Sequence, residues 1–147
     1  MKKNKIKDTG LEVTELSFGT SSLGSMPDTY GYEVPEQRAQ ETLKRFFQGP
    51  VNMLDTSRNY AMGESEKRIG TAIKENCGWP EKFVLSTKID RNMDTLVFDE
   101  KRTRESFEDL INRVADAETT FDFARGNFQE LKLIPKAYGS ILWLSQA

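Results

Sequence analysis

Asp55, Tyr60 and Lys88 are the residues of this sequence whose types and spacing could do chemistry. Tyr60 follows Asp55 in the run DTSRNY, and Lys88 ends the run FVLSTK. A Lys ammonium beside a Tyr hydroxyl stabilises the phenolate, which suits a Tyr for moving a proton to or from an oxygen. An Asp beside that Lys would hold it in place and keep it charged. The bland alternative is a surface ion pair with a packed Tyr nearby, which contributes little to stability. The sequence contains no His. That removes the commonest general base, the Ser-His and Cys-His nucleophile pairs, and His-ligated metals. Its single cysteine, Cys77, lies in a Cys-Gly-Trp-Pro run, where a turn or packing role is expected rather than a metal site.

The trio needs elements that bring it together, and the apolar pattern supplies them. KIKDTGLEVTELSFG predicts a hairpin turning at Asp8-Thr9-Gly10, then a short buried strand, Leu16-Ser17-Phe18-Gly19. A polar loop from Thr20 to Pro35 follows. Glu36 to Gln48 places Ala39, Leu43, Phe46 and Phe47 on one helical face, and Gly49-Pro50 stops that helix. Val51 to Asp55 is a second strand. Ser65 is expected to cap the next helix, with Ile69, Ala72 and Ile73 on its apolar side. Lys82 to Asp90 is the third strand. Glu100 to about Val114 then carries Phe107, Leu110, Ile111 and Val114 as a helical stripe.

Strand and helix alternate, which predicts parallel βαβ units and an α/β fold. In such arrays ligands bind at the carboxyl ends of the strands. Asp55, Tyr60 and Lys88 fall there, and neighbouring strands about 4.8 Å apart would let Asp55 and Lys88 approach.

Bulk properties limit the partners. The 147 residues carry a net charge of −2 with no concentrated block of either sign, which argues against nucleic acid or an anionic membrane surface. The KKNKIK start reads as a solvated terminus. No apolar run is long enough for a membrane span, and no apolar segment follows the basic start as a secretory signal would require. With one cysteine, a reduced, cytoplasmic setting is expected.

Three segments, LSFGTSSLG, NMLDTSRNYAMGESEKRIGTAI and FVLSTKID, resemble the first three strand ends of an aldo-keto reductase. The likeness spans residues 5–112 and is nearest to the sugar-oxidising D-threo-aldose 1-dehydrogenase or L-fucose dehydrogenase type. The resemblance implies a (β/α)8 TIM barrel that uses NAD(P)(H) and no metal, acting on a small carbonyl or sugar substrate. By position, Tyr60 resembles the family's proton donor or acceptor, Lys88 the group that assists it, and Asp55 the carboxylate paired with that Lys. Gly19 and Thr20 match the loop against the nicotinamide end of the cofactor, and Asp55 joins them as an expected cofactor-binding residue.

The sequence departs from the family in one region. A His expected at the end of the fourth strand, after Arg113, is absent. The chain continues instead as VADAETTFDFARGNFQELKLIPKAYGSILWLSQA. That tail fits either a later family segment, FDFARG helix then a strand into Tyr-Gly-Ser, joined by an internal deletion, or an unrelated or out-of-frame end. Residues 1–113 are therefore expected to form the N-terminal part of a barrel and 114–147 a divergent tail. A full barrel takes about 250 residues, so a truncated, partial barrel is expected. It would comprise the hairpin, about three βα units and the tail. Its open edge would invite self-association, and most of the pyrophosphate and adenosine site would be missing.

Overall fold

The computed structural model describes residues 1–6, 10–78, 80, 82–89, 94–97, 100–114 and 141–145; for Ile111 and residues 141–145 it describes the backbone. The first alternating runs pair as an antiparallel hairpin of β1 (Lys3–Lys5) and β2 (Glu12–Thr14), with Lys3 opposite Thr14. Gly10 adopts φ +75 in its turn, a left-handed conformation that glycine adopts without strain. Asp8 and Thr9, also expected in that turn, lie outside the described residues.

Asn52 ties the hairpin to the sheet. Its Oδ1 accepts from the Thr14 amide at 2.8 Å, and its Nδ2 donates to the carbonyls of Glu12 and Lys82 at 2.9 and 2.7 Å. One side chain thus joins the hairpin to the starts of two strands. Replacing Asn52 with Ala should lower stability by about 1–3 kcal/mol. Amide exchange at Thr14 should accelerate in that variant, and unchanged exchange there would refute the tie.

The main sheet runs in the order β3 (Phe18–Gly19), β4 (Met53–Asp55), β5 (Val84–Lys88), β6 (Ile141–Ser145). The first three strands are parallel, as the alternation of strand and helix requires. β6 is antiparallel to β5, with Ile141 opposite Lys88, and adds to the sheet beyond the three parallel units. A helix that returns to the amino end of the sheet launches a parallel strand. Residues 115–140, which lie outside the described residues, intervene between α4 (Glu100–Val114) and β6, so α4 does not fix the direction of that strand. The expected FDFARG helix and the strand leading into Tyr-Gly-Ser also fall there. Among the described residues the sheet is open and forms no closed barrel.

Helices cover one face of the sheet. The loop expected from Thr20 to Pro35 contains two short helical pieces, a 3-10 turn at Ser21–Gly24 and α1 (Pro27–Tyr30). Pro27 opens α1 and Gly31, at φ +75, closes it, the usual asymmetry of the two residues. The periodic segments form α2 (Glu36–Phe47), α3 (Glu64–Glu75) and α4. Ala39, Leu43 and Phe46 of α2, Ile69, Ala72 and Ile73 of α3, and Phe107, Leu110 and Val114 of α4 are buried together with Leu54 and Leu85. Phe46, Phe47 and Phe83 meet edge-on, with ring centroids 5.5–5.9 Å apart.

Two buried charges lock these layers. Arg68 lies 2.7 Å from Glu36 Oε2 and donates to the Leu23 and Val34 carbonyls, so it staples the 20–35 segment onto α2 and α3. Glu66, fully buried, accepts from Thr87 Oγ1 and from Arg113 Nε, each at 2.7 Å. Among the described residues no helix is long and apolar enough to cross a membrane.

Candidate active site

Side chains alternate between the two faces of a strand, and that alternation sorts chemistry from packing here. Leu54 and Leu85 point into the helix-covered core, and Thr87 meets Glu66 of α3. Asp55, Ser86 and Lys88 therefore share the opposite face. In the β4–β5 register Asp55 stands directly across from Ser86. Lys88, two residues on, comes to the carboxyl edge of the sheet.

The three expected residues meet there. Lys88 Nζ donates to Asp55 Oδ1 at 2.9 Å, to the Thr56 carbonyl at 2.9 Å and to Tyr60 Oη at 3.4 Å. An ammonium has three donors, and these three acceptors use them all. The same ammonium lies 5.1 Å from the centroid of the Tyr60 ring. Side-chain exposures of 37% for Lys88 and 32% for Asp55 leave the pair reachable from solvent.

Tyr60 is delivered by an unusual turn. Its amide donates to the Ser57 carbonyl at 3.0 Å, and the chain then passes through Ala61 (φ 52, ψ 48) and Met62 (φ 54, ψ 37) to Gly63 at φ +92. A left-handed conformation costs a residue with a Cβ about 1–2 kcal/mol. Gly24 makes room for this turn: a Cβ there would stand 2.7 Å from Ala61 Cβ and 3.1 Å from the Tyr60 carbonyl oxygen. Ala61→Gly should relieve strain while adding unfolded-state entropy, for a net gain of about 0.5–1 kcal/mol. A melting temperature raised by a few degrees would bear this out, whereas a fall would mean that the Ala61 methyl packs usefully.

Ser65 departs from its expected role. α3 begins at Glu64 behind a Gly63 cap that makes no side-chain hydrogen bond, so Ser65 is one residue inside the helix. Its hydroxyl is used elsewhere, against the Thr20 carbonyl at 3.0 Å and Thr20 Oγ1 at 2.9 Å, with Thr56 Oγ1 3.3 Å away. Thr20 in turn donates its hydroxyl, at 2.9 Å, and its amide, at 3.0 Å, to the Asp55 carbonyl. These fully buried hydroxyls join the ends of β3 and β4 to the start of α3.

Thr20 thus braces the backbone of Asp55, and its hydroxyl is engaged within the protein. Gly19, opposite Asp55 in the register, is exposed, and nothing lies within 4 Å of the position its Cβ would take. Cys77 is exposed in the turn after α3, with its amide on the Lys74 carbonyl. Among the described residues no group of three or more His, Cys, Asp or Glu side chains is placed to hold a metal ion.

Sequence reasoning missed the Ser65–Thr20 contact, the close approach at Gly24 and the hydroxyl of Ser86. Ser86 Oγ donates to Asp55 Oδ2 at 3.1 Å. The available signals were the clustered hydroxyl residues in FGTSS, DTS and LSTK, each at a strand end.

The chain is similar to known proteins. The profile of the aldo/keto reductase family matches residues 15–118. An L-galactose dehydrogenase of Arabidopsis thaliana is 32% identical over 107 residues, covering 73% of this chain and 32% of that protein. The aldo-keto reductase YhdN of Bacillus subtilis (strain 168) is 32% identical over 88 residues, 60% of this chain and 25% of its own length. Among solved structures, the holo form of aldo-keto reductase AKR11C1 from Bacillus halodurans superposes with a TM-score of 0.63 at 25% identity. That match covers 90% of this chain and 46% of the other. The structural neighbours are closed (β/α)8 barrels, of which this chain has a partial counterpart. The chain spans a quarter to a third of the curated relatives it matches, and about half of the structural one. By the profile that covers most of its length, the chain belongs to the aldo/keto reductase family.

Proposed function

We propose that this chain carries the proton-transfer part of an NAD(P)(H)-linked oxidoreductase site acting on an aldose or another small carbonyl or alcohol. The observation that carries the reading is Lys88 Nζ, held between Asp55 Oδ1 and Tyr60 Oη. In the reducing direction Tyr60 Oη gives its proton to the substrate's carbonyl oxygen. In the oxidising direction it takes the hydroxyl proton. The Lys88 ammonium stands against Tyr60 Oη, where negative charge develops as the proton leaves, and Asp55 holds the ammonium in place.

A bound dinucleotide would supply or accept the hydride. The open space over Gly19, beside Asp55 in the register, fits the nicotinamide end of such a cofactor. Gly19, Thr20 and Asp55 would form that part of the cradle, with Thr20 acting through the Asp55 backbone. The relatives named as a sugar dehydrogenase and as aldo-keto reductases support the substrate class. The same reading takes residues 1–113 as the N-terminal part of a barrel and 114–147 as a later segment joined by deletion. It takes the setting as cytoplasmic and the open sheet edge as a site of self-association.

A second reading, a catalytically inactive remnant or a fragment that depends on association, is favoured by the absence of His from the sequence. Titration of the purified protein with NADPH and NADH, followed by cofactor fluorescence, separates the two. Saturable binding at micromolar cofactor supports the enzyme; no binding up to millimolar cofactor supports the remnant. In a binding-competent protein, Tyr60→Phe should lower turnover about 10²–10⁴-fold with cofactor affinity retained. Equal turnover in that variant would remove Tyr60 from the mechanism.

A further inference from the structure

The Asp55–Lys88 pair is a third exposed, and such pairs hold their geometry weakly by charge alone. A carboxylate turns about its last torsion with only a broad two-fold preference, and a Lys stem has several torsions to freeze. Something else must fix this pair if Lys88 is to stay on Tyr60. Ser86 is placed to do so: it is 2% exposed and lies opposite Asp55 across two paired strands.

Two of the three acceptors of Lys88 depend on Ser86. Its hydroxyl donates to Asp55 Oδ2, the oxygen that Lys88 does not use. With Oδ2 held from behind, Oδ1 is kept toward the ammonium. The Ser86 carbonyl accepts from the Thr56 amide at 2.7 Å, and the carbonyl of that same Thr56 accepts from Lys88. We propose that Ser86 is a positioning residue: its hydroxyl sets the rotation of the Asp55 carboxylate and so holds Lys88 against Tyr60. It acts through Asp55. The catalytic meaning of this arrangement rests on the function proposed above.

The test uses competitive acetylation of the intact protein with N-acetoxysuccinimide, read by mass spectrometry. Labelling of Lys88 is expressed relative to Lys44 and Lys67, which lie on α2 and α3 away from the cluster. Ser86→Ala removes only the side-chain arm, and it should raise relative Lys88 labelling several-fold. Ser86→Thr keeps the hydroxyl and should stay at the wild-type ratio. An unchanged ratio in Ser86→Ala, or an equal rise in Ser86→Thr, overturns the proposal. If Ser86→Ala loses the wild-type circular dichroism spectrum and melting transition, Ser86→Cys, which keeps the volume and weakens the donor, takes its place. A several-fold rise in relative Lys88 labelling is again expected, and an unchanged ratio overturns the proposal.

Because labelling needs no cofactor, it separates this proposal from the proposed function. Absent cofactor binding with the labelling pattern intact would sink the function and leave the positioning role. Where turnover is measurable, Ser86→Ala should lower kcat about 10- to 100-fold with KM little changed.

Discussion

Gly70→Ala should lower stability by about 1–2 kcal/mol and loosen α4 from α3, although alanine is the better helix former. A Cβ built at Gly70 would overlap the carbonyl oxygen of Arg113 and stand 3.1 Å from Val114 Cα. Both obstacles are backbone, so no side-chain rotation relieves the clash. The helices would have to move apart, and overpacking of this kind costs about 1–3 kcal/mol, sometimes more. Against that stands a helix-propensity gain of about 1 kcal/mol for Gly to Ala. The two effects have opposite signs, which makes the experiment decisive. A urea midpoint below wild type means that the close approach governs Gly70. A midpoint above wild type means that propensity wins and that the helices are not tightly apposed. Arg113 and Val114 end α4, so separation there would also withdraw Arg113 from Glu66.

How far this could be read from the sequence depended on the range of the interaction. Ala39, Leu43 and Phe46 repeat at helical spacing, and that period is local, so α2 was legible from its own residues. Asp55 and Lys88 were legible as a meeting pair because both close apolar strand runs, and parallel strands bring their carboxyl ends together. Ser65 was not, because a Ser at a helix start can cap that helix or serve another segment. Only the packing of the Thr20 turn shows that it does the latter. Ser86 was hidden for a similar reason: its partner follows from the register of β4 against β5, which a one-residue slip would reverse. Gly24 and Gly70 announce room without saying for whom. The direction of β6 was not legible, because it follows from the connection after Val114, and strand pattern carries no sense of direction.

Glu66→Gln should cost about 3–5 kcal/mol, although it changes one oxygen to nitrogen. Glu66 is fully buried, and each carboxylate oxygen has one strong partner: Oε1 takes the Thr87 hydroxyl and Oε2 the Arg113 guanidinium. The amide can keep its oxygen toward Arg113 only by turning its NH2 to Thr87, whose hydroxyl must then accept and loses the acceptor for its own proton. The Arg113 side chain, 14% exposed, would be left charged with its partner gone, which is the expensive way to break a buried pair. Removing both charges with volume kept is far cheaper. The double variant Glu66→Gln with Arg113→Met should therefore recover most of the loss, since the amide oxygen still accepts from Thr87, and the cycle built from these two changes should show strong coupling. Additive losses in the cycle would mean that the two residues stabilise the fold independently and that the pair is not the lock between α3 and α4. The site is connected to this outcome through Thr87. Its hydroxyl fixes the helix-facing side of β5, while its neighbours Ser86 and Lys88 work on the other. A strand anchored to α3 on one face holds the register that sets Ser86 opposite Asp55 on the other. Glu66→Gln should accordingly raise Lys88 acetylation relative to Lys44 even under conditions where the protein remains folded.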